Sequence, residues 1–388
     1  MKNEEKDGTY GEPSSPNNDS SIRRFDHRVG VRRSQNGYMG GTNLIALHNM
    51  VFTVLKHLAE DAHAGTCTEI MITLDNNQIV FIQDNAPSLP VHRSPTHRLS
   101  ALEILMTSGG SSRYLLETLR GNPVISGRKG FGLAAVNALS EWMIVQTNQQ
   151  GVIWQQTYFD GVPQTPVERR KPIVQCKGTT FIFRPDFTIF QPNEFQFRTL
   201  ARRCFELAYL IPNLRVTLRD KREGSHREVS YFAAEGTKTF IEDRFHQRQP
   251  LHPIIHARQN VLVNTRYASY EIGVEFAMLF TRRQRSLVMS YINTTFTPNG
   301  GAHQEGFLNG ILAVIDENFP AALRTRQQMQ SGLIAIFSIR HPHPQFESQT
   351  NNRLVNLDTY DAVFQFVRDT LRRRKAEWLP PVLEKLIR

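Results

Sequence analysis

Along residues 44–64 the apolar positions Leu44, Leu47, Val51, Val54, Leu55 and Leu58 recur every three or four residues. That spacing lays one apolar stripe along a helix with a buried face, and Gly65 is placed to end it. Two short alternating runs follow, 69–74 and 78–83, about the turn Asp75-Asn76-Asn77. They predict a hairpin whose second strand runs into Asp84. Residues 99–106 read as a short helix, and 107–122 as a polar, glycine-bearing loop long enough to be a lid.

Downstream, strands are predicted near 143–147, 152–158, 179–183 and 215–220, with a helix over 194–210. Helices packed on one face of a mixed or antiparallel sheet make an α+β sandwich. The chain turns polar around 224–228, and a second α+β domain is expected over 228–388. Its strands fall near 229–233, 270–280, 286–292 and 332–339, its helices at 306–319 and 360–378, the latter being the C-terminal helix. Residues 1–40 are rich in Asn, Ser, Gly, Pro and charge and read as a flexible arm, which leaves 41–227 for the first domain. No internal repeat is visible.

One stretch carries candidate chemistry. Gly127, Gly130 and Gly132 punctuate a turn that enters an apolar, alanine-rich helix. Glycines there let the backbone approach a ligand closely, and the new helix aims free N–H groups at it, so a phosphate is the natural occupant. A plain tight turn has the same pattern.

Composition narrows the partners. With 388 residues the chain has room for two domains, and its net charge of +10 favours an acidic partner, nucleic acid ahead of a membrane surface. Basic clusters stand at Arg23-Arg24, Arg32-Arg33, 169–171, Arg202-Arg203, 282–285 and 372–375. The longest uncharged apolar runs, such as Leu287–Ile292, are far too short to cross a bilayer, and the polar N-terminus is not a signal sequence; a cytoplasmic protein with no membrane partner is expected. Cys67, Cys176 and Cys204 are odd in number and widely spaced, giving neither a disulfide framework nor a zinc pattern; buried thiols are expected.

Taken in order, QDN followed by a proline, ALEILMTSGG, SGRKGFGLAAVNALSE, KGTTFIFRPD, LRDKREG, INTTFTPNGGAHQEGF and PQFESQT resemble the N-terminal half of the DNA gyrase B family. The likeness runs from about Val31 to at least Val355. It implies a GHKL-type ATPase domain followed by a transducer domain of ribosomal-protein-like β-α-β fold. The family's metal-binding half, which takes part in DNA cleavage, would lie beyond residue 388.

Residue by residue, the resemblance is uneven. Where the family's first helix carries its general base this chain has Thr53, and where it carries its magnesium ligand it has His57. A threonine hydroxyl is no base near neutral pH, and losing a positioned base costs about 10²–10⁴ in rate. Magnesium prefers oxygen to imidazole. Lys56 could supply positive charge in place of a metal, and Glu60 lies too far along the helix to replace the base. The resemblance makes Asp84 the acceptor for the adenine amino group, Thr179 a hydrogen-bonding neighbour, and Gly127, Lys129, Gly130 and Gly132 the phosphate turn. Beside Asp84 the family's glycine-rich turn is replaced by Ala86, Pro87 and Ser88; Ser111 stands in place of a lid lysine, with Arg113 nearby. In the transducer loop Gln349 remains while Asn351 takes the place of the phosphate lysine, with Arg353 two residues on.

The expectation is a gyrase-B-like chain with a retired active site: weak ATP or anion binding, doubtful magnesium, no catalytic residue, and hydrolysis slow or absent. It would act as a DNA-associated partner or regulator, forming a homodimer or a heterodimer with a topoisomerase subunit, near the nucleoid. Two alternatives stand beside it: an active ATPase subunit working with a separate cleavage chain, and an interaction protein whose old pocket has no use.

Overall fold

The structure, a computed structural model, describes residues 27–93, 99–108, 132–174, 177–245, 247–264, 269–283, 285–319, 326–347 and 351–387. Its first domain comprises α1 (His27–Arg33), α2 (Gln35–Met39), α3 (Leu44–His63), β1 (Glu69–Asp75), β2 (Ile79–Asp84), α4 (Ala101–Thr107), α5 (Gly132–Ala138), β3 (Ser140–Gln149), β4 (Val152–Phe159), β5 (Val162–Pro163), β6 (Glu168–Arg169), β7 (Thr179–Pro185), α6 (Phe197–Leu210), β8 (Arg215–Asp220) and β9 (Arg227–Phe232). The sheet runs β5-β4-β3-β7-β2-β1-β8-β9, with β6 beside β4. Of the β1 pairings, that to β2 is antiparallel and that to β8 parallel.

The apolar stripe of α3 explains where it sits. Asn43 caps its N-terminus, the side-chain oxygen accepting from the backbone N–H of Ile45 and Ala46 at 3.0 and 3.1 Å. Gly65, at φ 76°, carries the chain away from its other end. Leu47, Val51, Val54, Leu55 and Leu58 are buried in one cluster with Ile70, Ile72 and Leu74 of β1 and Val80 and Ile82 of β2. Alternate residues of the same strands point to the opposite, helix-free face.

The second domain comprises α7 (Thr237–Phe245), β10 (Ile255–Asn264), β11 (Ser269–Phe280), β12 (Leu287–Ile292), β13 (Thr295–Phe296), α8 (Ala302–Asp316), α9 (Arg326–Met329), β14 (Leu333–Arg340), α10 (Asp358–Arg373) and α11 (Lys375–Ile387). Its sheet, ordered β10-β11-β14-β12-β13, is covered on both faces. Ile272, Val274, Phe276, Met278 and Phe280 pack with Phe307, Ile311, Val363, Val367 and Trp378 of the helices, whereas Ala277, Leu279, Ile334 and Ile336 join the core of the first domain. β12 and the parallel β14 bracket α8, the crossover unit that a parallel pair requires.

Two polar clamps reinforce that shared core. Arg203 of α6 donates to the Thr294 carbonyl at 2.7 Å and its hydroxyl at 3.1 Å, while the Thr237 N–H and hydroxyl both donate to the buried Glu275, at 3.0 and 2.9 Å.

Four sequence expectations need correction. The flexible arm does not extend to residue 40: 27–39 form α1 and α2, with Val31 and Met39 buried. Arg32 ties this segment down by donating to the Asp186 carboxylate at 2.6 Å and the Ala138 carbonyl at 2.9 Å, so a stretch that looks like a basic tail carries one structural arginine. The strand expected to open the second domain is β9, which pairs along its length with β8 and so belongs to the first sheet. The helix expected over 360–378 is two helices, α10 and α11, broken at Arg374. Finally, β10 and α7 are additional elements. Within β10 the run 258–260 is exposed, so an edge strand with so little alternation leaves no strand pattern.

Of the three cysteines, Cys67 and Cys204 are buried free thiols, as expected, and burial raises both to about 12; Cys176 lies outside the described residues.

Candidate nucleotide site

Asp84 ends β2 on the face that α3 covers. Its register partner on β1 is the core residue Ile70, and on its other side the Thr179 N–H donates to its Oδ1 at 3.1 Å. Thr179 in turn pairs with Thr147 of β3. Four neighbouring strands therefore set Ile70, Asp84, Thr179 and Thr147 in one row across the helix-covered face, three of them polar at the edge of an apolar core.

The carboxylate is held from one side only. Its Oδ1 accepts from the backbone N–H of Ala86 at 2.8 Å as well as from Thr179, whereas its Oδ2 is buried without a hydrogen-bond partner. An unpaired buried carboxylate oxygen is costly, and the cost shows: burial pushes Asp84 up to about 7, against the two N–H donors, with the negative charge of Asp61 acting in the same direction. An incoming N–H donor would satisfy that oxygen and favour the charged form.

Gly178 makes this arrangement possible. A Cβ there would lie 2.2 Å from Asp84 Oδ1 and 2.6 and 2.9 Å from the Ala86 carbonyl oxygen and N–H nitrogen, so only glycine lets the start of β7 pass over the carboxylate. The turn that replaces the family's glycine-rich one is folded inward. Ala86 and Leu89 are buried, the Leu89 N–H donates to Thr147 Oγ1 at 2.9 Å, and Gln149 donates to the Leu89 carbonyl at 2.9 Å. Asn85 points the other way and accepts from the Thr68 and Glu69 N–H groups, fixing the start of β1.

At the opposite end of the site, Thr53 occupies the middle of α3. Its hydroxyl donates to the Asn49 carbonyl one turn back, at 2.7 Å. A Cβ on Gly132 would meet its methyl group at 3.1 Å, so the helix that ends the glycine turn packs directly on the position where a base is expected. Gly132 is the one described residue of that turn. Gly127, Lys129, Gly130, Ser111 and Arg113 lie outside the described residues, as do Gln349 and most of the lid. Asn351 follows at φ 56°, and Leu354 is anchored through Gly300 and Ala302, so the transducer loop leaves a fixed point. Arg353 is exposed.

His57 lies one turn beyond Thr53 and is half-buried. Judged by donor chemistry it does not suit magnesium, which takes oxygen ligands. Asp84 offers what an N–H donor needs: its Oδ2 is a buried acceptor that no described group satisfies.

Sequence reasoning marked Asp84 and Thr179 but not the parts that set their geometry. Gly178 and Thr147 were the missing ones. For Gly178 the signal was its place directly before a strand that starts with two threonines; Thr147, on β3, had none.

The comparisons with known proteins follow the same lines. The family model for DNA gyrase B matches residues 236–380. The DNA gyrase B protein of Thermotoga maritima is 30% identical over 370 residues, covering 92% of this chain and 57% of that protein. Its Archaeoglobus fulgidus counterpart is 31% identical over 353 residues, covering 88% and 53%. The chain thus spans a little over half the length of these relatives. Among solved structures, the 43K ATPase domain of Thermus thermophilus gyrase B, in complex with an aminocoumarin, superposes with a TM-score of 0.73 at 24% identity, over 94% of this chain and 95% of that one. The gyrase B structure from Myxococcus xanthus gives 0.74 at 21%, over 93% and 99%. The fold is accordingly the GHKL ATPase domain joined to its transducer domain, and over the length it spans the chain is similar to the N-terminal part of DNA gyrase B.

Proposed function

We propose that this chain binds an adenine nucleotide through Asp84 without hydrolysing ATP, and serves as a DNA-associated partner or regulator of a topoisomerase. The observation that carries the reading is the buried, unpartnered Oδ2 of Asp84 in the row it shares with Thr179 and Thr147. The exocyclic amino group of adenine is the donor it lacks.

Hydrolysis would need a group that takes a proton from water. Thr53 cannot do so, and its hydroxyl is already committed to the Asn49 carbonyl. The residues do not fit a magnesium ion, so no step is drawn through one. DNA contact rests on the net charge of +10. Several of the basic clusters are locally neutralised by acidic neighbours already counted in that net charge. Arg372 pairs with Glu317, Arg374 with Glu377, and Arg202 and Arg203 with Glu206, so those clusters contribute less than their sequence suggests. Dimerisation, with a second copy or with a topoisomerase subunit, is part of the same proposal.

Titration calorimetry with ATP and ADP, run beside a phosphate-release assay, tests the reading. Heat of binding without turnover is expected. Turnover that depends on magnesium and falls in Asp84→Asn would sink it in favour of an active ATPase. Absence of heat with either nucleotide would favour a pure interaction protein. The double change Thr53→Glu with His57→Asn should raise turnover by no more than about 10²–10⁴, the worth of one general base.

A further inference from the structure

The helix-free face of the first sheet holds a cavity of about 660 Å³, behind the strands that carry Asp84. Its floor is made by the alternate residues of β1 and β2, Met71, Thr73 and Phe81, which point away from α3. The segment before β7 closes one side with Val174 and Lys177; β8 and the residue after it supply Arg219 and Lys221 on the other. Asp84 borders this cavity as well, but the floor residues Met71, Thr73 and Phe81 alternate with Ile70, Ile72 and Ile82 of the α3-covered face and so point away from it.

Its size is that of a small-molecule site, and its lining has the mixture such sites use, an apolar floor with a few polar groups at the margin. Met71 and Phe81 offer a thioether and a ring, both favourable surfaces for a planar aromatic group. Arg219 is fixed over this floor: its Nε donates to Glu228 at 2.7 Å while its NH1 lies 3.2 Å from the Met71 sulfur. Within the lining the cations Arg219, Lys221 and Lys177 equal in number the carboxylates Glu69, Asp75 and Asp84. Of the exposed ones, Lys221 and Lys177 outnumber Glu69, so the mouth itself leans positive.

We infer that this cavity is a second ligand site, which takes a planar aromatic anion with its ring on Met71 and Phe81 and its anionic group toward Arg219 and Lys221. The inference does not depend on the nucleotide reading, because the groups it invokes, Met71, Phe81, Arg219 and Lys221, are none of those that would hold the adenine.

The test uses the full chain and the fluorescent aromatic sulfonate 1-anilinonaphthalene-8-sulfonate. The wild-type chain should bind it saturably at one site with enhanced emission. Thr73→Trp fills the middle of the floor and should weaken binding at least about tenfold, since a blocked pocket loses its apolar contact area. Lys221→Glu is an exposed change with little consequence for folding, and should weaken binding about threefold to tenfold by reversing one charge at the mouth. Thermal melts of the three proteins establish that each is folded. Should Thr73→Trp fail to fold, Lys221→Glu decides alone. Unsaturable emission, or saturable emission unchanged in Lys221→Glu, would overturn the inference.

Discussion

The two ends of the proposed nucleotide site are built differently. At the Asp84 end the recognition group is fixed by the sheet: two backbone N–H donors grip one carboxylate oxygen, a glycine crosses over it, and Ile70, Thr179 and Thr147 hold the row in register. At the Thr53 end the reactive group would be a side chain on a helix whose other face already makes the core. Changing the first end disturbs strands, turn and loop together; changing the second alters a helix position and leaves the fold standing. On the proposed reading, that asymmetry lets the residue at position 53 change while the scaffold stays recognisable.

The largest effect that sharpens this contrast is expected of Asp84→Asn. The amide oxygen can still accept from the Ala86 and Thr179 N–H groups, but the position of Oδ2 now offers N–H donors to an adenine amino group. Nucleotide affinity should fall at least about a hundredfold, as for a site whose buried polar group is left facing the wrong partner. Stability should respond in the opposite sense. The folded-state value of Asp84 is raised to about 7 from 3.8, so its contribution is fully present below pH 4 and is lost as pH rises toward 7. The span is on the order of 4 kcal/mol. Denaturant titrations at pH 5 and pH 8 should show wild type losing stability across that interval, with the asparagine variant losing much less. For wild type, the carboxylate is the form that accepts from adenine, so nucleotide affinity should rise through pH 7. An affinity that falls as pH rises would break the assignment.

Gly178→Ala comes next. Its Cβ would meet Asp84 Oδ1 and the Ala86 backbone at distances no side chain can relieve. Strand β7 or the 85–90 turn must shift, at a cost of about 3 kcal/mol. Thermal unfolding and nucleotide titration should both register the change. A variant that melts like wild type and still binds would mean that the crossing over Asp84 is not tight.

Much of this architecture could be read in the residues before any coordinates. The stripe from Leu47 to Leu58, the β1–β2 hairpin and β8 are strong periodic signals because each has one face in a core. The elements that escaped have physical reasons to do so. In β10 the exposed run 258–260 blurs the alternation, and α7, from Thr237 to Phe245, buries only Thr237, Phe240 and Ile241. α1 is held by Arg32 and Val31 rather than by a stripe. In the site, motif likeness placed Asp84 and Thr179, but the open Oδ2 and the Thr53 back-bond depend on which way a side chain turns. Sequence patterns carry no such information.

The smallest effect is expected at the other end, and it is diagnostic for that reason. Thr53→Val keeps the branched shape, and with it the methyl contact to Gly132. It deletes only a hydroxyl whose hydrogen bond runs to a carbonyl in the same helix. Such back-bonding adds little to helix stability, so the melting free energy should change by less than about 1 kcal/mol. Nucleotide affinity should stay within about a factor of two of wild type, because RT is about 0.6 kcal/mol and no contact to ligand is removed. Any turnover at this position would have to pass through the hydroxyl. If valine lowered a measurable ATP turnover while leaving binding intact, Thr53 would be taking part in chemistry, and the two ends of the site would no longer divide into one that recognises and one that has stopped reacting.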